Sequence, residues 1–347
     1  MASILVLGGT SWLGGTVAAR AVALGHEVTC LARGESGTVP DGARLVRADR
    51  ADPAAYEALA GPVSWDLVVD VARQPGHVRG AIAALAHRAT HWVFVSSCSV
   101  YARHDEPRAD ESATLLPALG ADEATPEQYG EGKVACESAV AEGRAGAALI
   151  ARSGLIVGHG DPTERFGYWP GRFAQAARDG GAVLVPDHPN QQVQWVDVGD
   201  LADWLVSAGL SGTTGTYNAV GAPVPLEHVL DAAARVAGFH GEVVRADGET
   251  LDRMGIQEFM GPRSLPLWLR DPEWQAFMDR SGAAATRAGL ASRPLETTMS
   301  DALAWEEQLG TDRARSKAGL DRHDELDVIA AISAGSAQPV SERSISD

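Results

Sequence analysis

Cysteine is scarce: Cys30, Cys98 and Cys136 are the only three in 347 residues. An odd, widely spaced set offers neither a metal-ligand pair nor a disulfide framework, so a reducing, cytoplasmic setting is expected. Positive charge is also in deficit, with 29 Lys and Arg against 46 Asp and Glu and a net charge of −17. A nucleic-acid partner needs a basic footprint, which this balance denies. An anionic cofactor stays open, because a few main-chain N–H groups and one arginine can hold a pyrophosphate. Long apolar runs are missing too. The run that opens at Ile4–Leu7 is ended at once by Gly8 and Gly9 and has no basic segment before it, so neither a signal peptide nor a membrane span is expected. His159 and His188 have no partner spacing that suggests a metal, and no internal repeat is present.

The composition, 45% hydrophobic and 22% charged, is that of a soluble globular enzyme. Its length suits one large α/β domain with a smaller lobe. Near-continuous apolar runs at Ile4–Leu7, Glu27–Leu31, Ala43–Ala48, Leu67–Val71, Trp92–Ser96 and Ala147–Ala151 read as strands covered on both faces. Alanine-rich helical stretches such as Leu13–Leu24 and Val78–Ala86 separate several of them, and Gly25 follows the first as a left-handed C-terminal residue. This alternation predicts an α/β fold, a Rossmann-type doubly wound parallel sheet with a smaller C-terminal substrate lobe. The sheet domain is expected over 1–157, with 193–220 returning to it through strands Val193–Asp197 and Thr216–Val220 and the helix Asp200–Leu210. The substrate lobe is expected over 158–192 and 221–310, with Gly158–Gly171 as an active-site loop. Residues 311–347 read as a C-terminal helix and an unstructured polar tail.

Between the first strand and first helix lies Leu7-Gly8-Gly9-Thr10-Ser11-Trp12-Leu13-Gly14. Glycine is needed where backbone nears a pyrophosphate and where the helix packs on the sheet. Gly8 and Gly14 keep the outer spacing of a G-x-x-G-x-x-G turn, while Ser11 takes the middle position. A dinucleotide there would rest on the helix N-terminus, whose dipole favours phosphate. At the end of the second strand an acid would select NAD through the ribose hydroxyl. Ala32 stands there instead, followed by Arg33, which either meets a 2′-phosphate or is a solvated loop residue. NADP is therefore favoured over NAD.

Tyr129 and Lys133 stand four apart, on one face of a helix expected to start near Thr125-Pro126-Glu127. A lysine cation favours the phenolate of a neighbouring tyrosine and fits it for proton transfer. Val95-Ser96-Ser97-Cys98-Ser99-Val100-Tyr101 ends the fifth strand, where a hydroxyl faces the ligand crevice. Ser97 is the candidate to hold the substrate oxygen.

With these motifs in order, the chain resembles the extended or atypical short-chain dehydrogenase/reductase superfamily, the NAD-dependent epimerase/dehydratase family. The resemblance runs to about residue 310 through GGTSWLG, the Asp49-Arg50 pair, VDVAR at Val69–Arg73, VSSCSVY, YGEGK, the Arg152 to Gly158 segment and WVDVGDLADWL. It implies that Ser97, Tyr129 and Lys133 are catalytic, with Lys133 binding the nicotinamide ribose and lowering the tyrosine pKa. It implies that Asp49 contacts adenine and that Val71 and Ala72 line the dinucleotide cleft, with Arg50, Arg73 and Ser96 also cofactor-binding. Gly154 and Leu155 would border the nicotinamide. Many relatives dimerise through the helices at Val78–Ala86 and Thr125–Ala141, so a homodimer is expected.

Three departures narrow the activity. Dehydratases of the family carry Asp-Glu after the catalytic hydroxyl, where this chain has Cys98-Ser99. Nucleotide-sugar epimerases carry Arg-x-x-Asn, where this chain has Leu155. Ser11 replaces the middle glycine, as in members with a GGT-x-F-I-G turn. Aromatic residues Tyr101, Phe166, Tyr168, Trp169 and Trp195, with Ser99, fall where substrate should enter. They would stack a flat apolar or aromatic substrate, or else close the interface of the lobes. The expected activity is hydride transfer between NADPH and a carbonyl or conjugated double bond of a small molecule. The alternatives are a nucleotide-sugar epimerase with tightly bound NAD, and a catalytically silent dinucleotide-sensing or RNA-associated protein. The intact Ser97, Tyr129 and Lys133 set and the −17 charge speak against the last.

Overall fold

The computed structural model describes residues 1–59 and 64–335. The chain divides into two units, the first of Met1–Ile156, Gln194–Ala222 and Asp279–Ser292, the second of Val157–Val193, Pro223–Met278 and Arg293–Asp347. Residues 336–347, to which the unstructured tail was assigned, lie outside the described residues.

In the first unit, strands β1 (Ser3–Leu7), β2 (Glu27–Ala32), β3 (Ala43–Arg47), β4 (Trp65–Asp70), β5 (Ala89–Ser97) and β6 (Ala148–Ser153) join Gly215–Ala219 in one sheet. The pairings are parallel, and the order is Gly215–Ala219, β6, β5, β4, β1, β2, β3. This is the doubly wound Rossmann sheet that the alternating pattern predicts. Its apolar runs barely alternate because helices cover both faces. On one face α1 (Trp12–Ala23) and the helix Val198–Leu210 set Val17, Ala21, Leu201 and Leu205 against Ile4, Val6, Val69 and Val93. On the other, α2 (Pro75–Leu85) and α3 (Tyr129–Gly143) set Val78, Leu85, Cys136 and Val140 against Leu5, Leu7, Trp92 and Phe94. Strand order reverses between β1 and β4, and a reversal opens a crevice at the carboxyl ends of those two strands.

Three expectations change here. The helix of Tyr129 and Lys133 begins at Tyr129, not near Thr125, because Thr125 and Pro126 first close a turn onto the N–H groups of Gln128 and Tyr129. Residues 279–292, expected in the lobe, belong to the first unit: Asn218 Nδ2 donates to the Ser281 carbonyl and Ser281 N–H to that of Ala109. The expected strand Val193–Asp197 is broken at Gln194, whose buried amide side chain bonds Arg280 and Gly221 main-chain groups.

The 279–281 stretch also pins the loop after β5. Arg280 is buried, donates to the Arg103 carbonyl and shares a hydrogen bond with His104 Nδ1 at 2.9 Å. The Arg108 N–H meets the Asp279 carbonyl at 2.6 Å.

In the second unit the segment Gly158–Gly171, expected as a loop, enters the helix Arg165–Asp179. Glu164 precedes it in a left-handed conformation (φ 62°) and accepts the main-chain N–H groups of Ser316 and Lys317. Phe166, Tyr168 and Trp169 from this helix are fully buried. Trp169 donates to the Pro266 carbonyl at 2.9 Å, and the Tyr168 ring faces the guanidinium groups of Arg172 and Arg315 at 5.3 and 5.1 Å. These three aromatics are core, which corrects their assignment to a substrate face. The unit also buries charge. Glu325, on the helix Arg322–Ser333, accepts Leu184 N–H at 2.9 Å and pairs with Arg322 at 2.6 Å and Arg172 at 3.1 Å. Glu306 pairs with Arg313 and Arg315; burial alone would raise its carboxyl, but the two arginines hold it below the ordinary carboxylate range.

Two outcomes are expected. Glu325→Ala leaves the buried Arg172 uncompensated and should cost about 3–5 kcal/mol in urea unfolding, whereas loss of a solvated pair costs under about 1 kcal/mol. Burial, with the Arg280 cation beside it, pushes the His104 imidazole down to about 4. Acidification from about pH 6.5 to 4 then protonates the unfolded chain before the native one, so stability is lost over that window as pH falls. His104→Gln should remove roughly 2–3 kcal/mol of that loss, read as a flatter acid side of stability against pH.

Candidate active site

The turn after β1 is built around missing side chains. Gly8 has φ +96°, and a Cβ there would lie 2.7 Å from Val71 Cγ2 at the end of β4. A Cβ on Gly14 would collide with the Gly8 carbonyl, and one on Gly9 with Cys30 of β2. Ser11 is in an extended conformation (φ −75°) that any residue adopts, so no glycine is needed there. It is instead the N-cap of α1: its hydroxyl donates to the Gly8 carbonyl at 2.8 Å and accepts the Gly14 N–H at 3.2 Å. The departure from the glycine pattern thus adds a cap and leaves the turn intact. Thr10 is buried, and Trp12 and Leu13, the first residues of α1, are half-buried.

A cleft of about 490 Å³ opens over this turn. Gly8, Thr10, Ser11, Arg33, Asp49, Arg50, Val71 and Ala72 line it, as do Gly34, Glu35, Ser36, Gln74, His77 and Glu123, which the sequence reading missed. The left-handed Gly34 right after Arg33 was the available signal for part of that set. A dinucleotide fits the donor set: Gly8 lines the cleft without a side chain, and Ser11, the N-cap of α1, lines it too, so the helix N-terminus faces it with the polarity phosphate needs. Arg33 is exposed and lies 3.3 Å from Glu35, and the Arg47 guanidinium lies beside Gly34. Asp49 is exposed and accepts the Ala51 N–H.

Arg50 has a different role from the one expected. Its guanidinium makes a two-pronged bond to buried Asp70 at 2.8 Å, meets Tyr56 Oη at 3.1 Å and donates to the His77 carbonyl at 2.7 Å. Burial works against this charge, and Asp70 more than restores it, holding the group above its ordinary value. With four contacts made, Arg50 is a brace in the floor of the cleft.

At the far side of the crevice, Lys133 is buried one helical turn below Tyr129. Its ammonium donates to the carbonyls of Ala72 and Val95, both at 2.7 Å, and lies 4.8 Å from the Phe94 ring centroid and 6.0 Å from that of Tyr129. Tyr129 is half-buried, with the Arg73 guanidinium 5.1 Å from its ring centroid. Its hydroxyl makes no hydrogen bond among the described residues. The glycines of YGEGK are spacers. A Cβ on Gly130 would collide with the Ser99 carbonyl, and one on Gly132 would lie 2.7 Å from Ala124 Cβ. Gly130 lets the first turn of α3 press against the Ser99 carbonyl just after β5, and Gly132 lets it press against Ala124.

Ser97 and Ser99 are half-buried and joined at 3.1 Å, Ser97 Oγ donating to Ser99 Oγ and accepting the Ser99 N–H. Ser96 and Tyr101 do not join them. Ser96 lies one residue out of phase along the strand and donates to buried Glu137 at 2.5 Å, while Glu137 pairs with Arg152 at 2.8 Å. Tyr101 is buried between Arg152 and Arg280 and donates to Asn218 at 2.5 Å. Both belong to this buried network, which corrects their assignment to cofactor and substrate. Cys98 is buried, its thiol bonded to the Arg152 carbonyl and pushed up to about 12 by burial. Gly154 gives way to Val220, whose Cγ1 would lie 2.7 Å from a Cβ; Leu155 is buried, and Trp195 is half-buried.

Residues 4–219 match the model of the NAD dependent epimerase/dehydratase family. No curated protein matches the sequence. Among solved structures, a Burkholderia cenocepacia J2315 protein provisionally assigned as an epimerase is 22% identical, with a TM-score of 0.68, covering 88% of this chain and 98% of its own. The UDP-Glc/GlcNAc 4-epimerase of Campylobacter jejuni is 15% identical, with a TM-score of 0.66, covering 89% and 100%. The UDP-N-acetylglucosamine 4-epimerase of Bacillus cereus is 16% identical, with a TM-score of 0.63, covering 89% and 98%. Identities this low establish the shared fold. The glycine turn, the strand-end serines and the Tyr129 and Lys133 pair all fall within the matched span, and this chain belongs to the NAD-dependent epimerase/dehydratase family.

Proposed function

We propose that this chain is an NAD(P)-dependent oxidoreductase that acts as a reductase on a carbonyl or conjugated group of a small molecule. The observation that carries the reading is the Tyr129 hydroxyl, which makes no hydrogen bond among the described residues at the start of α3, one turn above an ammonium held by the Ala72 and Val95 carbonyls. When bound, the nicotinamide supplies or takes up hydride. Tyr129 gives its proton to the substrate oxygen, and the hydroxyls at the end of β5, Ser97 among them, hold that oxygen. Lys133 stays put as a point charge under the phenol, with one of its three N–H bonds still unspent to meet a ribose hydroxyl.

Dehydration is disfavoured on physical grounds. Where a general acid would stand, the Cys98 thiol is buried and bonded to main chain. An epimerase reading is favoured by the solved structures named as 4-epimerases. Leu155, buried where an asparagine would hold a sugar nucleotide, counts against it. Purified protein carrying stoichiometric dinucleotide and consuming none would reverse the ranking. A homodimer, a cytoplasmic setting and a small apolar or aromatic substrate remain part of the proposal. No described helix is long and apolar enough to cross a membrane.

NADP(H) is proposed as the preferred cofactor, because Ala32 offers no acid to the ribose and Arg33 and Arg47 flank the Gly34 turn; Glu35 opposes them. In a fluorescence titration, Arg33→Ala should weaken NADPH binding roughly tenfold and leave NADH binding unchanged. Equal loss for both cofactors would refute the assignment. Tyr129→Phe should abolish turnover across a panel of aldehydes, ketones and quinones, by about 100-fold or more, with NADPH affinity within about twofold of the parent.

A further inference from the structure

We propose that Arg73 recognises an anionic group of the substrate, and that the carbonyl compound reduced here carries a carboxylate beside its carbonyl. The proposal rests on the oxidoreductase reading above and names its substrate class.

Val71, Ala72 and Gln74 line the dinucleotide cleft, yet Arg73, between them, does not. Its exposed side chain runs to Tyr129 instead, where the guanidinium carbon lies 5.1 Å from the ring centroid. The main chain beneath it is fixed from both sides. The Ala72 carbonyl takes the Lys133 ammonium at 2.7 Å. The Gln74 side chain accepts the Ala124 N–H at 2.7 Å and donates to the Ala124 carbonyl at 3.3 Å, and the Gly76 N–H meets the Asp122 carbonyl at 2.8 Å. Arg73 thus reaches the tyrosine from a rigid corner.

A guanidinium carries five N–H donors in a planar fork. Those of Arg73 make no hydrogen bond or ion pair among the described residues, and contact with an aromatic ring consumes no N–H. Arg50 and Arg33, by contrast, are matched with Asp70 and Glu35. In a chain of net charge −17, an arginine without a carboxylate is a local positive field, which an anionic substrate needs in order to approach.

The Tyr129 oxygen stands a ring radius and one bond from the centroid that Arg73 faces. Phenol and guanidinium therefore flank a gap that one small molecule spans, its carbonyl oxygen on Tyr129 and its anion on Arg73. A carboxylate matches the fork with two parallel hydrogen bonds, and an α-oxo acid holds carbonyl and carboxylate on adjacent carbons. An aromatic α-oxo acid also keeps the flat ring of the reading above. In the reduction, hydride from the reduced nicotinamide goes to the carbonyl carbon, and the Tyr129 O–H bond breaks as the O–H bond of the hydroxy acid forms. The carboxylate keeps its charge and its place on Arg73.

The test uses the full chain with NADPH and matched pairs of acid and methyl ester, benzoylformate and phenylpyruvate each against its ester, in the parent, Arg73→Ala and Arg73→Lys. The parent should favour each acid over its ester by at least about tenfold in kcat/KM. Arg73→Ala should lose about 100-fold on the acids, mainly in KM, and stay within about threefold on the esters. Arg73→Lys, which keeps the charge without the fork, should recover part of the loss. NADPH affinity, read by fluorescence, should stay within about twofold of the parent in both variants. A parent that favours the esters would overturn the proposal, as would equal losses on acid and ester in Arg73→Ala. So would a matching fall in NADPH affinity, which would make Arg73 a cofactor ligand. If the parent turns over neither member of a pair, calorimetric binding to the protein loaded with oxidised cofactor decides: binding of the acid in preference to the ester, lost in Arg73→Ala, supports the proposal, and no such preference overturns it. Undiminished reduction of the acids by Tyr129→Phe would instead remove the underlying oxidoreductase reading.

Discussion

The Lys133 ammonium, drawn out of water and held between the carbonyls of Ala72 and Val95, is the interaction on which the active end of the first unit depends. It ties the segment after β4 to the end of β5, and both ride on α3. Hydrogen bonds to a charged group contribute about 1.5–3 kcal/mol each, which offsets the cost of burying the ion. One side chain therefore fixes the register of the helix against two strand ends. The glycines at 130 and 132 permit the approach that this requires. The position of Tyr129 relative to the strand-end serines follows from the anchor beneath it.

Paired burial of charge recurs elsewhere. Arg50 with Asp70, Arg152 with Glu137, and Arg172 with Glu325 each satisfy a guanidinium inside protein with a carboxylate and main-chain or hydroxyl oxygens. Such pairs are weak sources of net stability but are costly to break singly. Their effect is geometric: Arg50 braces the floor of the cleft, and Glu137 continues the Tyr129 and Lys133 face of α3 to the end of β6.

Much of this was legible in the sequence, for a physical reason. A parallel sheet covered on both faces writes its strands as apolar runs, and a helix on a glycine turn leaves spaced glycines. Both signals are local, and they give β1 to β6 within a few residues. Charge partners are not local. Arg50 looked like a cofactor ligand because Asp70 and the His77 carbonyl are distant in sequence, and Ser96 looked like a cofactor residue because Glu137 is too. The aromatics at 166, 168 and 169 had no periodicity to separate a core helix from a ligand face, and Pro170 within the stretch argued for a loop. Ser11 read as a lost glycine, because capping is visible only once the backbone angle is known.

All three thiols are sealed in the first unit: Cys30 against the glycine turn, Cys98 beneath the serine turn and Cys136 on the sheet-facing side of α3. Burial pushes them up to about 11 or 12, so almost none is thiolate at neutral pH. Each sits directly behind a piece of the proposed machinery. Electrophiles and peroxides in the surrounding medium therefore reach these three thiols only after the sheet has opened, which makes thiol chemistry in this chain a reporter of unfolding.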